Sequence, residues 1–181
     1  KDEQLAGLVP DSFTIWQPKD MISGDLIWSW GQDNDFAIAV FDCTGHGVPG
    51  GVMTMVAISS IERVVHEYGI KDPCKILQEV SRIVQAMLNQ NSNSRFSEDG
   101  LDLGLCYYSH SEKRLYFAGA RLSLFYDSED EITEIKGDKQ SLGYHSSDPD
   151  YPFVIHTISI KCKYNFYMLT DGVYDQIGGE K

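Results

Sequence analysis

Two hydrophobic patterns divide the chain. In the first part, short apolar stretches at Ser12–Trp16 and Asp25–Trp30 predict strands. The uninterrupted apolar run Phe36–Phe41 is typical of a strand that is buried on both faces. From Gly51 to Tyr68 the apolar residues recur at three and four positions, which predicts a helix that ends at Gly69.

A second helix is predicted directly after the first. Asp72 suits its N-cap and Pro73 its first position. Its wide apolar stripe favours core packing over a groove for a partner. The polar segment Asn89–Ser94 then predicts a loop.

After this loop the hydrophobic period falls to two. Leu101, Leu103, Leu105 and Tyr107 are expected on one face of a strand, followed by a turn at His110–Lys113. Further strands are predicted at Arg114–Ala118, Leu122–Tyr126, Glu131–Ile135, Phe153–Ile160 and Asn165–Thr170. This order predicts an α+β fold in which helices cover a face of an antiparallel sheet.

Composition and charge narrow the function classes. The 181 residues fit one domain, 1–181, and carry a net charge of −12 with scattered cations, which excludes nucleic acid as an expected partner. The four cysteines form no CxxC pair, which indicates a reduced, cytoplasmic setting. The longest unbroken apolar run is too short to cross a bilayer, so no membrane contact is expected of this domain itself. The sequence carries no signal for oligomeric state.

Two buried strands are predicted to end in a carboxylate. Phe36–Phe41 leads into Asp42, and the FYMLT segment leads into Asp171 and a glycine. Carboxylates seldom become buried without a partner, so two such endings suggest an electropositive group between them. A divalent cation is the simplest candidate.

A glycine-rich segment follows Asp42, with four glycines between Gly45 and Gly51 just ahead of a helix. Such a segment lets the backbone approach an ion or a phosphate closely. A nucleotide site is the alternative, but neither dinucleotide nor P-loop glycine spacing is present. Ser23-Gly24-Asp25 supplies a third carboxylate after a turn, and alone it indicates only the turn.

The segments PKDMISGDLIW, FDCTGHGVPGG and LTDGVYDQIGGE together resemble the metal-dependent, type 2C (PPM) serine/threonine phosphatase domain of the bacterial stage II sporulation protein E branch. The resemblance spans about Trp16 to Glu180. It implies two antiparallel β-sheets in a sandwich flanked by helices (α-β-β-α), and hydrolysis of phosphoserine or phosphothreonine on proteins with two Mn²⁺ or Mg²⁺ ions.

The resemblance also implies a ligand set. Asp42 would bridge both ions, the backbone carbonyl of Cys43 would bind one of them, and Asp171 would bind the other. Asp25 would reach a metal directly or through water. Hard cations of this kind prefer oxygen ligands, and two of them can activate a water for attack on phosphorus.

Four further residues carry open alternatives. His46 either protonates the leaving hydroxyl or stabilises the glycine segment, and its offset from Asp42 relative to the wider family favours the second role. Lys19 either contacts the substrate phosphate or is a solvated turn residue. Asp99 and Asp102 either reach a third metal or form the turn that enters a strand.

The sequence ends before a late aspartate that the resembling family carries. The resemblance therefore implies a domain that is incomplete at its C-terminus and binds one metal more weakly. It also implies a larger sensor or regulatory protein, either cytoplasmic or anchored in a membrane with this domain in the cytoplasm. The expected substrate is a phosphorylated antagonist-type protein in a partner-switching pathway. The alternative is a regulatory binding module with this fold and little turnover.

Overall fold

The computed structural model describes residues 2–18, 20–90, 99–128 and 131–173. Its helices are α1 (Asp2–Leu8), α2 (Gly47–Tyr68) and α3 (Pro73–Gln90), with a 3₁₀ turn at Asp171–Val173. Its strands are β1 (Asp25–Gln32), β2 (Asp35–Cys43), β3 (Leu101–Ser109), β4 (Arg114–Ala120), β5 (Leu124–Ser128), β6 (Glu131–Ile135), β7 (His156–Ser159) and β8 (Asn165–Met168).

The strands form two antiparallel sheets. The larger has the order β1-β2-β3-β4-β7, and the smaller has the order β6-β5-β8. Tight hairpins connect β1 to β2 and β3 to β4, whereas the pairing of β2 with β3 spans both long helices. The predicted α+β sandwich is confirmed.

Alternation along β3 explains the layers. Leu101, Leu103, Leu105 and Tyr107 are buried in the core shared with α2 and α3, as their period predicts. Cys106, on the opposite face, is buried in a second core against the smaller sheet. Each fully buried leucine contributes about 2 kcal/mol relative to an exposed one, so both faces of the larger sheet stabilise the sandwich.

The described elements supply three layers: α2 with α3, the larger sheet and the smaller sheet. Both long helices pack on the same face of the larger sheet. An outer helical layer on the smaller sheet is not among the elements of the described residues.

Local signals place the helix ends. The amide of Lys75 donates to Oδ1 of Asp72 at 3.0 Å, so Asp72 caps α3 as predicted, with Pro73 in the first position. Gly69 has φ 76° and its amide donates to the carbonyl of Val65, which ends α2. By length and composition alone α2 could also span a membrane, but core helices meet the same criterion, and α2 buries Ile61 and Val64 against the sheet.

Some element predictions need correction. Ser12–Trp16 is not a strand, because Phe13 and Ile15 are exposed and no strand within the described residues pairs with them. Helix α2 begins at Gly47 rather than Gly51, because the glycines after Gly47 form its first turns. Helix α1 was not predicted. The strand predicted from Leu122 begins at Leu124, after a turn at Arg121.

Candidate metal centre

Three aspartates form a row across neighbouring strands of the larger sheet. Asp25 of β1 lies opposite Asp42 of β2, and Asp42 lies opposite Asp102 of β3. Directly opposed residues of antiparallel strands point to the same face, with Cβ atoms about 5 Å apart. The row occupies the face turned toward the smaller sheet, since Phe41 and Leu103 beside it point into the helical core.

The end of the smaller sheet approaches this row. The hydroxyl of Thr170 donates to Oδ2 of Asp25 at 3.3 Å, and the amide of Asp171 lies 3.5 Å from Oδ2 of Asp42. The structure therefore brings Asp25, Asp42 and Asp171 together at one edge of the sandwich.

The carboxylates of the row are electrostatically strained. Burial, followed by the negative charges of Asp171 and Asp25, raises the pKa of Asp42 to about 7. Burial is also the largest cause of the raised pKa of Asp25, against which the hydrogen bond from Thr170 acts. Negative charge in this cluster is thus costly without a nearby cation.

Asp102 joins the same cluster. Burial raises its pKa, while a hydrogen bond from Ser141 and the charge of Arg121 lower it. Its Oδ1 is buried and has no hydrogen-bond partner among the described residues. A buried carboxylate oxygen without a donor is a costly arrangement that a bound cation or its water would satisfy.

The donors present fit a hard divalent cation, which takes carboxylate and carbonyl oxygens. No three His, Cys, Asp or Glu side chains within residues 2–18, 20–90, 99–128 and 131–173 converge closely enough to form a ready-made cage. The fit rests instead on the clustered carboxylates and on the orphaned oxygen of Asp102.

Gly24 packs directly against the backbone of Cys43 and Gly45. A Cβ at Gly24 would lie 2.6 Å from the carbonyl oxygen of Cys43 and 2.5 Å from that of Gly45. The absence of a side chain also lets the Cys43 amide donate to the Gly24 carbonyl. The Cys43 thiol is buried in the core, where burial raises its pKa to about 12, so any contribution of this residue to an ion comes from its backbone.

The glycines near α2 pack backbone against backbone. A Cβ at Gly50 would lie 2.5 Å from the Gly45 carbonyl oxygen and 3.2 Å from Cα of Gly24. Gly45 and Gly47 have φ of 86° and 63°. These glycines allow the loop before β1 to pack closely against the loop after β2.

His46 lies at the N-cap of α2 but does not cap it. Its Nδ1 is 2.7 Å from Oδ2 of Asp20 in a pair that is 66% and 45% exposed. An ion pair this exposed adds little stability, so its main effect is to orient the imidazole.

The structure does not bring Asp99 and Asp102, two of the remaining predicted residues, together in one place. Oδ1 of Asp99 accepts a hydrogen bond from the hydroxyl of Thr44 at 3.3 Å, at the entrance to β3, while Asp102 lies in the row. Lys19 lies outside the described residues. Sequence reasoning missed Thr170, Asp20 and the row position of Asp102. The alternation along β3 could have predicted the orientation of Asp102. Leu101 and Leu103 point into the helical core, so Asp102 between them must point to the opposite face.

Comparison with solved structures places the fold among the type 2C protein phosphatases. The SiaA-PP2C domain of Pseudomonas aeruginosa is similar over 99% of this chain and 68% of its own, with a TM-score of 0.87 and 33% identity. The catalytic domain of the serine/threonine phosphatase PstP, solved with two manganese ions, has a TM-score of 0.64 and 13% identity over 86% of this chain and 74% of its own.

Stage II sporulation protein E from Bacillus subtilis shares the fold, with a TM-score of 0.65 and 15% identity over 86% of this chain and 42% of its own. No curated protein sequence matches. The family model of stage II sporulation protein E matches residues 32–181, so the chain belongs to this family. Its fold supports protein phosphatase function in general.

Proposed function

We propose that this chain hydrolyses phosphoserine and phosphothreonine on proteins with a metal-activated water as the nucleophile. The observation that carries the proposal is the row Asp25, Asp42 and Asp102, which Asp171 meets from the smaller sheet. A row of half-buried carboxylates with raised pKa values suits cation binding better than any neutral ligand.

Two Mn²⁺ or Mg²⁺ ions would be held by Asp25, Asp42, Asp171 and the backbone carbonyl of Cys43, with Asp42 between them. When bound, such ions lower the pKa of a shared water and stabilise charge on the phosphate oxygens. Thr170 fixes the carboxylate of Asp25, so this ligand is oriented before any ion arrives.

A thiol nucleophile has no support at this site. The thiol of Cys43 is buried and its pKa is raised to about 12, so it is protonated at neutral pH. Burial also raises the pKa of Cys106, which lies inside the sandwich. Attack by water is then the route that the residues favour.

His46 is the candidate for protonating the leaving hydroxyl. Its Nδ1 is engaged by Asp20, so a proton would leave from Nε2 as the phosphorus–oxygen bond breaks. An alkoxide from serine or threonine is a poor leaving group, which makes such a proton valuable.

The substrate that we propose is a phosphorylated antagonist-type protein in a bacterial partner-switching pathway, met in the cytoplasm. Membership of the stage II sporulation protein E family supports this class of substrate. The net charge of −12 argues against nucleic acid as a competing partner.

The test is hydrolysis of an aryl phosphate and of a phosphoserine protein in millimolar Mn²⁺, with and without EDTA. Turnover that EDTA removes is expected. Asp42→Asn should abolish it while the fold is retained, and Asp171→Asn should raise the Mn²⁺ concentration needed for half-maximal rate. Asp33→Asn, in the exposed hairpin at the far end of β1 and β2, is the matched control and should change neither.

Full activity of Asp42→Asn would contradict the metal assignment. Metal-dependent binding of a phosphoprotein without turnover would instead support the alternative, a regulatory module that retains the fold.

A further inference from the structure

Arg121 lies in the turn that follows β4, at the end of the larger sheet where the aspartate row is found. Leu103 of β3 pairs with Ala120, the last residue of β4, so Arg121 directly follows the residue that lies opposite the neighbour of Asp102. This end of the larger sheet thus carries the three carboxylates and, just past the last residue pair of β3 with β4, an arginine. Arg121 is close enough for its charge to lower the pKa of Asp102.

The backbone at Arg121 is held in an unusual conformation. Its φ is 63°, a left-handed value that glycine and asparagine adopt far more readily than arginine. The Arg121 amide donates to the Asp138 carbonyl at 2.8 Å. Gly137 packs against it so closely that a Cβ there would lie 2.9 Å from the Arg121 carbonyl carbon. A strained residue beside a functional site invites a functional explanation.

Arg121 is an exposed residue and makes no ion pair with any described residue. Its positive charge lowers the pKa of Asp102. Arg121 is therefore a cation at the rim of an anionic site, and its guanidinium N–H groups can donate to a ligand.

We propose that Arg121 binds the phosphate oxygens of the substrate beside the carboxylate row. This inference rests on the proposed phosphatase function and names a substrate-binding residue for it. The planar guanidinium offers two parallel N–H donors that match two phosphate oxygens, and its charge offsets the repulsion between a phosphate dianion and the aspartates.

The left-handed backbone allows a sharp test. Arg121→Asn removes the charge but keeps a residue that tolerates positive φ, so its stability should equal or exceed that of the unaltered chain. Arg121→Lys keeps the charge and loses the paired donors. Arg114→Asn removes an arginine from the far end of β4 and is the matched control.

For Arg121→Asn we expect KM for an aryl phosphate to rise roughly 10- to 100-fold, the value of a charge-assisted hydrogen bond. The affinity for inorganic phosphate in Mg²⁺, measured by calorimetry, should fall by a similar factor. Arg121→Lys should lie between the two, and Arg114→Asn should match the unaltered chain.

The affinity for phosphate distinguishes failure of the proposed phosphatase function from failure of the proposed role of Arg121. If the unaltered chain binds phosphate but shows no metal-dependent hydrolysis, the proposed function fails, and the calorimetric loss in Arg121→Asn still decides the role of Arg121. Equal phosphate affinity in Arg121→Asn and the unaltered chain overturns the inference, whatever the turnover.

Discussion

The hydroxyl of Thr170 donates a hydrogen bond to Oδ2 of Asp25, and this contact joins the end of the smaller sheet to the start of β1. It links two segments 145 positions apart. The two halves of the proposed metal centre are therefore positioned by the packing of one sheet on the other, because each sheet supplies part of the ligand set.

Replacing Thr170 by valine should weaken metal binding without unfolding the chain. Valine keeps the shape of threonine but removes the hydrogen bond to Asp25, so this contact no longer orients the carboxylate. We expect the Mn²⁺ concentration for half-maximal hydrolysis to rise roughly tenfold, as for other residues that orient metal ligands. Thr133→Val, on the exposed strand β6, is the control. An unchanged metal requirement would remove Thr170 from the site.

Gly24→Ala should disturb the centre through the backbone. The added Cβ would lie 2.5 Å from the Gly45 carbonyl oxygen and 2.6 Å from that of Cys43, so one of the two loops must shift. We expect a loss of about 1–3 kcal/mol in the free energy of unfolding, together with weaker Mn²⁺ binding. Thermal or denaturant unfolding with and without metal measures both effects.

Gly7→Ala is the matched control for this change. A Cβ at Gly7 meets nothing within 4 Å, and the residue lies in helix α1, where alanine is the better helix former. Its stability should therefore stay the same or rise. Equal behaviour of the two alanine variants would show that the close approach at Gly24 is unimportant.

Short-range patterns predicted the elements better than they predicted the site. The run at β2, the period of α3 and its cap at Asp72 are local signals, and local physics decides them. The segment Ser12–Trp16 has the composition of a strand but pairs with no strand of the described residues, since strand pairing is decided by the rest of the sheet.

The site depended on pairings that are distant in sequence. Asp42 and Asp171 stand out because each follows an apolar strand, but Asp102 enters the row only through the register of β2 with β3. The pairing of His46 with Asp20 and the left-handed turn at Arg121 arise from loop packing. No periodicity in the sequence signals such contacts.

The pair of His46 and Asp20 predicts a dependence on the leaving group. A proton donor matters when the departing oxygen is strongly basic, as in serine, and matters little for a nitrophenolate. His46→Gln and Asp20→Asn should therefore lower kcat on a phosphoserine protein much more than on an aryl phosphate, with the Mn²⁺ requirement unchanged. Equal losses on both substrates would indicate a structural role in the glycine segment instead.

Asp35 predicts a stability effect at the opposite end of the sheet. The Tyr107 hydroxyl donates to its Oδ2 at 2.6 Å and the His110 amide to its Oδ1 at 2.8 Å, and these two bonds, Tyr107 first, lower the pKa of Asp35. Because the folded pKa lies below the unfolded value of about 3.9, the ionised carboxylate stabilises the fold above that pH. This stabilisation is lost as pH falls through the folded pKa.

Asp35→Asn should accordingly lower the free energy of unfolding by about 1 kcal/mol at pH 7, since the bonds lose their charge assistance. The difference from the unaltered chain should shrink as pH falls from 5 toward 2, because protonation then removes the same charge from the unaltered protein. Denaturant unfolding across this pH range measures it, with Tyr107→Phe as the partner change and Asp33→Asn as the control. A difference that stays constant with pH would mean that Asp35 acts through packing rather than through its charge.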